Sequence, residues 1–379
     1  MGFTIQNARV LNDHFAFAPL DVAVENDTIA ALLPQGSVQE QPAIDAEGML
    51  LIPGLIDIHN HGNSGCDYCD GDTQAVKKMA DFLARNGVTS FLATTMSLPE
   101  ETLTPIFSSL GDYYKNQTGA SRMLGVYMEG PYLCKAKKGA HVEDNIIPPD
   151  YEMLRRLDKA GGFITRVVAV APETDGQDAF LKQARGQYVL SVAHTNASYA
   201  QAAHALANGY TNATHLYNAM PAPSHRDPSV LGALFESNAT VELISDGIHV
   251  HPVVVRETFT LFGCDRVVFV SDAMRAAGMP DGIYDLGGQT VQVKNFKATL
   301  ENGTIAGSAV NLMECVRRAV GFGIPLEHAV KAASYNPARA IGRQEQVGSI
   351  KVGKLADLVL LDEHLNVRRV FVGGREISL

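Results

Sequence analysis

Short apolar segments alternate with longer amphipathic ones through the middle of the chain. Eight apolar runs recur between residues 54 and 272, and most lead through a polar or glycine-rich corner into a helix-like stretch. The runs are GLIDIH, VTSFLATT, RMLGVYME, ITRVVAVAP, YVLSVAH, YTNATHL, TVELISD and RVVFVSD. Two intervening segments, TQAVKKMADFLARNG and YAQAAHALANG, end on Gly87 and Gly209, which are typical C-terminal helix caps.

This alternation of apolar and amphipathic segments predicts an α/β fold. Apolar strands that alternate with helices form a parallel sheet covered by helices, and eight such units favour a closed (β/α)8 TIM-like barrel. A doubly wound open sheet is the competing fold. No G-x-G-x-x-G motif follows the first strand, however, and eight units suit closure better.

Both ends of the chain are patterned as short strands. FTIQNARVL, DVAVEND, TIAALL and AIDAEGMLLIPG occupy the N-terminal end, while GKLADLVLLD and VRRVFVGGREI lie near the C-terminus. Chain termini commonly lie close together at the surface of a domain. We therefore expect a small β-sandwich built from residues 1–53 and 346–379, with the barrel of residues 54–345 inserted between its two parts.

The charge, apolar content and cysteine content of the chain limit the partners and sites that can be expected. The formal charge of −10 over 379 residues leaves no basic stripe for a nucleic-acid partner, although one or two arginines would suffice for a small anion. No apolar run reaches the ~18 residues that cross a bilayer, and no signal peptide precedes the first strand, so we expect a cytoplasmic protein without a membrane partner. Five cysteines fit reduced thiols, and Cys66 and Cys69 lack the second pair of a four-sulfur zinc site.

Ionisable residues close six of the eight apolar runs. His59 and His61 end the first run as an H-x-H pair, which on its own would usually be a coincidence. The other runs end with Glu129 (third), His194 (fifth), His215 (sixth), Asp246 (seventh) and Asp272 (eighth). In a barrel these ends meet at one mouth, where active sites of this fold lie.

A single buried histidine is usually a core residue with its hydrogen bonds satisfied. Four imidazoles and a carboxylate in one cleft would be costly without a cation between them. Imidazole and carboxylate are ligands of a Zn²⁺-like ion, so the strand ends predict a divalent metal site, with Zn²⁺ the expected ion.

A catalytic metal also requires a nearby base. Asp272 is the candidate, and its structural alternative is an N-cap for the stretch beginning at Ala273. Asp246 stands in an S-D-G turn sequence and is retained only as a lining residue.

At these residues the chain resembles the amidohydrolase superfamily and, more narrowly, the N-acetylglucosamine-6-phosphate deacetylase family. The matching segments run in family order from residue 53 to residue 308: PGLIDIHNHG, EGPYL, KKGAH, AHTNA, THLYNAM, DGIHVHP, SDAM and AGS. THLYNAM together with EGPYL is specific to the deacetylases, whereas H-x-H is not. The strand-rich ends match as well, so the resemblance covers essentially the whole chain.

The resemblance implies roles for the strand-end residues. Glu129, His194 and His215 would hold the principal ion. His59 and His61, with Glu129 as the bridge, would hold a second ion, so one or two divalent ions per chain are expected. Asp272 would act as general base and then as general acid.

The same resemblance implies a substrate site and a partner. His141 would polarise the acetyl carbonyl, and Arg226 would reach the site of a second subunit, which implies a homodimer. Without the family argument, Arg226 is equally well interpreted as a solvated loop charge. The full set of substrate-binding residues would be Ala140, His141, Asn218, Ala219, Arg226, His249, Ile305, Ala306 and Gly307.

The implied activity is hydrolysis of N-acetylglucosamine 6-phosphate to glucosamine 6-phosphate and acetate. An N-acetylgalactosamine-6-phosphate deacetylase is the alternative, because the sequence does not reveal the epimer. A cyclic-amide hydrolase of the dihydroorotase type is disfavoured, since ITRVVAVAPE lacks the fourth-strand lysine that commonly bridges two metals there. A non-catalytic scaffold would be expected to have lost ligands, whereas every candidate ligand and the base are present.

Overall fold

The computed structural model describes residues 2–37 and 42–379. Its strands in chain order are β1 (Phe3–Leu11), β2 (Phe17–Glu25), β3 (Thr28–Pro34), β4 (Ala43–Asp45), β5 (Leu50–Pro53), β6 (Leu55–Asp57), β7 (Gly62–Asn63), β8 (Cys66–Asp67), β9 (Val88–Thr95), β10 (Arg122–Met128), β11 (Thr165–Val170), β12 (Val189–Val192), β13 (Tyr210–Ala213), β14 (Thr240–Leu243), β15 (Val267–Phe269), β16 (Gly282–Leu286), β17 (Gln289–Lys294), β18 (Lys297–Thr299), β19 (Ile305–Ser308), β20 (Leu358–Leu361), β21 (Val367–Val372) and β22 (Arg375–Ile377).

The α-helices are α1 (Thr73–Arg85), α2 (Glu100–Lys115), α3 (Tyr151–Ala160), α4 (Gln177–Ala184), α5 (Tyr199–Asn208), α6 (Ser229–Glu236), α7 (Pro252–Phe262), α8 (Leu312–Gly321), α9 (Leu326–Ala333) and α10 (Tyr335–Ala340). The predicted helices before Gly87 and Gly209 are confirmed, and both glycines have a positive φ that ends the helix. Across the described residues, every helix is too short or too polar to cross a membrane.

The predicted parallel sheet is confirmed. Its eight strands are ordered β6-β9-β10-β11-β12-β13-β14-β15, and every neighbouring pair is parallel. All residues of β9 are buried, as expected where both faces of a sheet are covered. The first strand is shorter than its apolar run suggests, because β6 ends at Asp57, before the two histidines.

Hydrogen bonds join the residues that follow the two outer strands of this sheet. The Asp272 backbone N–H donates to the His59 carbonyl at 2.9 Å, and the His61 N–H donates to the Ala273 carbonyl at 2.7 Å. The Ser271 hydroxyl donates to the Asp57 carboxylate at 2.5 Å. The H-x-H segment is thereby held beside Asp272.

Strands from both ends of the chain share a second sheet. Its order is β22-β21-β20-β5-β1-β2-β3, with β4 paired to β1, and the join between the two ends is the antiparallel pair β5–β20. Strands from residues 1–53 and 346–379 therefore share one sheet, while their assignment to a separate domain stays a prediction. The arrangement of that sheet as a two-layered sandwich also stays a prediction.

An antiparallel sheet of four strands, β16–β19, follows the eighth parallel strand. The sequence pattern predicts no strands in this segment, because it lies outside the repeating alternation of strands and helices. The Ser308 N–H donates to the Asp272 carbonyl at 2.7 Å, and the Met274 N–H donates to the Ser308 carbonyl at 2.9 Å. These bonds fix β19, and with it residues 305–307, beside the end of the eighth strand.

Candidate metal centre

Three imidazole groups surround one oxygen of the Glu129 carboxylate. Glu129 directly follows β10, and its Oε1 lies 3.0 Å from His215 Nε2, 3.2 Å from His194 Nε2 and 3.6 Å from His59 Nε2. All four side chains are buried. Residues separated by as many as 156 positions along the chain thus meet at a single carboxylate oxygen.

The second carboxylate oxygen faces two further histidines. Glu129 Oε2 lies 3.1 Å from His61 Nε2 and 3.5 Å from His141 Nε2. His61 Nε2 is also 3.3 Å from Asp272 Oδ1, which places the candidate base at the edge of the same cluster.

Three of these residues adopt left-handed backbone conformations. The φ angles of His194, His215 and Asp272 are 41°, 28° and 47°, in a region that costs a residue other than glycine about 1–3 kcal/mol. All three stand just after a strand of the parallel sheet. Strain of this kind persists only where the surrounding structure holds it, and it commonly clusters at active sites.

Hydrogen bonds to the other ring nitrogen distinguish the roles of the histidines. His194 Nδ1 donates to the Lys137 carbonyl at 2.7 Å, which leaves a lone pair on Nε2 for a cation. His141 Nδ1 instead accepts from the Ser97 backbone N–H at 3.2 Å, so its Nε2 carries the proton when the ring is neutral. Geometry alone would admit His141 to a ligand group with Glu129 and His194. Its tautomer suits a hydrogen-bond donor better.

The acids of the cluster are ionised. Burial alone would raise the pKa of Glu129, but the charge of His59 and hydrogen bonds from the surrounding histidines hold it well below its ordinary value. Burial also opposes ionisation of Asp272, yet its hydrogen bond with His61 and the nearby imidazoles lower its pKa to about 2. Burial lowers the pKa of His141 to about 4, which keeps that ring neutral.

The donor set fits a divalent cation. Donor atoms of His59, His61 and Glu129 lie within 4.8 Å of one another. His59 Nε2 is buried and lacks a hydrogen-bond partner among the described residues. A buried imidazole nitrogen without a partner, beside an ionised carboxylate, is the environment that a zinc-like ion satisfies.

A cleft of about 400 Å³ opens onto this cluster. Twelve of the residues proposed from the sequence line it: His61, Glu129, Ala140, His141, His194, His215, Asn218, Ala219, His249, Asp272, Ile305 and Gly307. His59 and Ala306 are completely buried behind the lining. Lys137, Met96, Leu286 and Thr304 also line the cleft and were not anticipated.

Arg226 lies apart from the cleft of its own chain. It is exposed on the segment between β13 and α6, where its backbone N–H contacts the Ser224 hydroxyl at 3.4 Å. The structure therefore does not bring Arg226 together with the other substrate residues of the same chain. Its reach into a second subunit stays a prediction.

Asp246 supports His249 at the cleft. One carboxylate oxygen contacts His249 Nδ1 at 2.7 Å, while the other accepts the backbone N–H groups of Ile248 and His249, each at 2.8 Å. Burial opposes the charge on the ring, but the hydrogen bond to Asp246 raises the pKa of His249. Asp246 thus favours the protonated form of the His249 ring at the cleft wall.

Cys66 and Cys69 are free thiols beside the H-x-H segment. Cys69 Sγ accepts the Met96 backbone N–H at 3.4 Å, and burial raises the pKa of the Cys69 thiol well above its ordinary value. A redox-active thiolate requires the opposite shift.

The chain matches the amidohydrolase family model over residues 50–377. It is 33% identical to an N-acetylglucosamine-6-phosphate deacetylase of Lysinibacillus sphaericus, covering 99% of this chain and 97% of the relative. It is 35% identical to an N-acetylgalactosamine-6-phosphate deacetylase of Escherichia coli O157:H7, covering 97% and 96%. The crystal structure of an N-acetylglucosamine-6-phosphate deacetylase from Pasteurella multocida superimposes with a TM-score of 0.94 at 31% identity, over 99% of both chains.

Proposed function

Because the chain belongs to the amidohydrolase family and, within it, to the deacetylases of N-acetyl amino-sugar 6-phosphates, we propose that it converts N-acetylglucosamine 6-phosphate and water into glucosamine 6-phosphate and acetate. The observation that carries this function is the convergence of His194, His215 and Glu129 beside Asp272. This arrangement is that of a metal-dependent hydrolase.

Glu129, His194 and His215 would hold the principal ion, and His59 and His61 would hold a second with Glu129 between them. We propose Zn²⁺, because the donors are imidazole nitrogens and carboxylate oxygens. Such an ion would lower the pKa of bound water toward about 7 and would polarise a carbonyl group.

Asp272 moves the proton in this proposal. Its low pKa keeps the carboxylate ionised, so Oδ1 can accept a proton from the attacking water. The same group then delivers the proton to the nitrogen of the scissile amide, because that nitrogen cannot depart as an anion. His61 Nε2 lies 3.3 Å from Oδ1, so the carboxylate stands next to the residues that would hold the second ion.

His141 stabilises the oxygen of the acetyl group. Ser97 holds Nδ1 as an acceptor, so the Nε2–H of the neutral ring is available to donate to the carbonyl oxygen as negative charge develops on it. The Ala140 backbone and Ile305, Ala306 and Gly307 would enclose the sugar next to this donor.

The phosphate end of the substrate would lie against Asn218, Ala219 and His249. His249 would supply one positive charge when its ring is protonated, a form that the hydrogen bond to Asp246 favours by raising the pKa of the ring. Arg226 would supply a second charge in a homodimer by reaching the cleft of the neighbouring subunit, since a guanidinium can bind phosphate through two hydrogen bonds.

We propose that the parallel sheet closes as a (β/α)8 barrel within residues 54–345. The hydrogen bonds between the segments that follow β6 and β15 support closure. Residues 1–53 and 346–379 would form the β-sandwich. The Ala356 N–H donates to the Asp27 carbonyl at 2.8 Å, which supports a curled arrangement of the sheet at the chain ends.

Acetate release from N-acetylglucosamine 6-phosphate by the purified protein tests the function, measured before and after treatment with a chelator. We expect release that stops on metal removal. The galacto epimer is the second candidate substrate, supported by the 35% identity to an N-acetylgalactosamine-6-phosphate deacetylase. Comparing kcat/KM for the two epimers decides between them, and turnover of neither would refute the proposal.

A further inference from the structure

Glu242 is a buried acid that the proposed mechanism does not use. It lies within β14 between Val241 and Leu243, and its side chain is completely buried. A carboxylate in such a position is costly unless every oxygen is hydrogen-bonded. Its partners therefore indicate why the strand holds an acid.

Those partners connect Glu242 to both groups of proposed ligands. Glu242 Oε2 contacts His59 Nδ1 at 2.9 Å and accepts the His215 backbone N–H at 3.2 Å. Glu242 Oε1 accepts from Asn212 Nδ2 at 2.7 Å. The same carboxylate thus holds the ring of His59 and the backbone of His215.

The contact with His59 fixes which ring nitrogen is free. When the His59 ring donates its Nδ1–H to this carboxylate oxygen, the lone pair of the neutral ring resides on Nε2. That atom lies 3.6 Å from Glu129 Oε1 and 3.6 Å from Asp272 Oδ1. It lacks a hydrogen-bond partner among the described residues.

We propose that Glu242 is a positioning residue that holds His59 ready to bind the second divalent cation. It acts through His59 and does not touch the substrate or the cation. This inference rests on the metal centre of the proposed function. Removal of such a partner from a metal-binding histidine typically costs about 10–100-fold in metal affinity.

The test is a metal titration of the full-length protein. Apo protein prepared with a chelator is titrated with Zn²⁺ against a chromophoric competitor, and bound zinc is then counted by mass spectrometry. Glu242→Leu removes the acceptor for Nδ1–H, whereas Glu242→Gln retains an amide oxygen that can accept it. Glu236→Leu is the matched control, because Glu236 pairs with the Tyr199 hydroxyl at the exposed end of α6 and lies apart from the imidazoles.

We expect two equivalents in the wild type and in Glu236→Leu. In Glu242→Leu the second equivalent should weaken by about 10–100-fold and by more than the first, because Glu242 contacts the ligating ring of His59 but only the backbone of His215. Glu242→Gln should lie between Glu242→Leu and the wild type. If Glu242→Leu does not fold, Glu242→Gln becomes the variant that tests the inference. It must then weaken binding of the second zinc equivalent more than binding of the first.

Three results would overturn the inference. The first is uptake of only one zinc equivalent by the wild type. The second is unchanged affinity for the second equivalent in the folded Glu242 variants, and the third is an equal loss of affinity for both equivalents. Acetate release by the same wild-type sample separates this inference from the proposed function. A protein that binds two ions with the expected variant pattern but releases no acetate would refute the function alone.

Discussion

His194 Nε2 lies 3.1 Å from His215 Nε2, and both atoms lie within 3.2 Å of the same Glu129 oxygen. His194 donates its Nδ1–H to the Lys137 carbonyl. The lone pair on its Nε2 is therefore available to a cation that His215 and Glu129 would also bind. A divalent cation between these atoms would account for their convergence.

Metal removal should abolish deacetylation and also destabilise the fold. The clustered imidazoles and carboxylates lose their shared counter-ion, so the melting temperature should fall on chelation and recover when Zn²⁺ is added. Differential scanning calorimetry and acetate release on the same samples check this expectation. A chelated, metal-free protein with unchanged activity would show that no metal participates.

Asp272→Asn should lower kcat by about 10²–10⁴-fold, because the amide cannot accept the proton of the attacking water. Zinc content should remain that of the wild type, since the principal ligands are untouched. Stopped assays of acetate release combined with zinc analysis measure both quantities. Full activity in this variant would reject Asp272 as the base.

Arg226→Ala should raise KM for the phosphorylated substrate with little change in kcat, because the phosphate loses a cation but the reacting groups stay in place. A mixture of Arg226→Ala and Asp272→Asn chains provides the decisive assay. A mixed dimer contains one cleft with an intact Asp272 and an intact Arg226 of the neighbouring subunit, so co-refolding should restore activity at substrate concentrations well below the raised KM.

The control for this complementation is Arg375→Ala, which removes an exposed arginine elsewhere on the surface. That variant should retain the wild-type KM. If the mixed sample shows no more activity than the sum of the separate variants, Arg226 does not act across a dimer interface.

Asp246→Asn should destabilise the protein in a pH-dependent way. The lowered pKa of Asp246 contributes stability that is present above the ordinary aspartate pKa and is lost as the pH falls through the lowered value. The raised pKa of His249 contributes stability that is present below the ordinary histidine pKa and is lost as the pH rises through the raised value.

The difference in unfolding free energy between wild type and Asp246→Asn should therefore be largest between about pH 4 and pH 6.5, at roughly 1.5–3 kcal/mol, and smaller at alkaline pH. Urea unfolding of chelated protein at several pH values measures it. Asp178→Asn is the control, because the Asp178–His204 pair is exposed and should contribute no more than about 1 kcal/mol. A difference for Asp246→Asn that does not vary with pH would contradict the account.

The parallel sheet was predictable because buried parallel strands are apolar throughout. VTSFLATT coincides with β9 to the residue, and each of the eight apolar runs contains one strand of the sheet. The sheet of β16–β19 was missed because half-buried antiparallel strands such as β17 carry alternating polar residues outside the repeating pattern. The β6 boundary was misplaced because Ile58 is buried like a strand residue although the strand has already ended.

The site was predictable where a residue ends a strand of the parallel sheet, as Glu129, His194 and Asp272 do. Glu242 was missed although the signal was visible, since a single acid interrupts the apolar run TVELISD. Lys137 lies in a single 3-10 turn (Lys135–Lys137) and Thr304 on a loop, and only the folded chain brings them to the cleft. Sequence spacing carries no comparable information about such positions.

The central claim is that a divalent cation is held by Glu129, His194 and His215. Anomalous X-ray diffraction at the zinc edge, on crystals of protein that releases acetate, tests it most directly. The account predicts an anomalous peak enclosed by His194 Nε2, His215 Nε2 and a Glu129 carboxylate oxygen. Active protein whose crystals show no peak among these three side chains would contradict it.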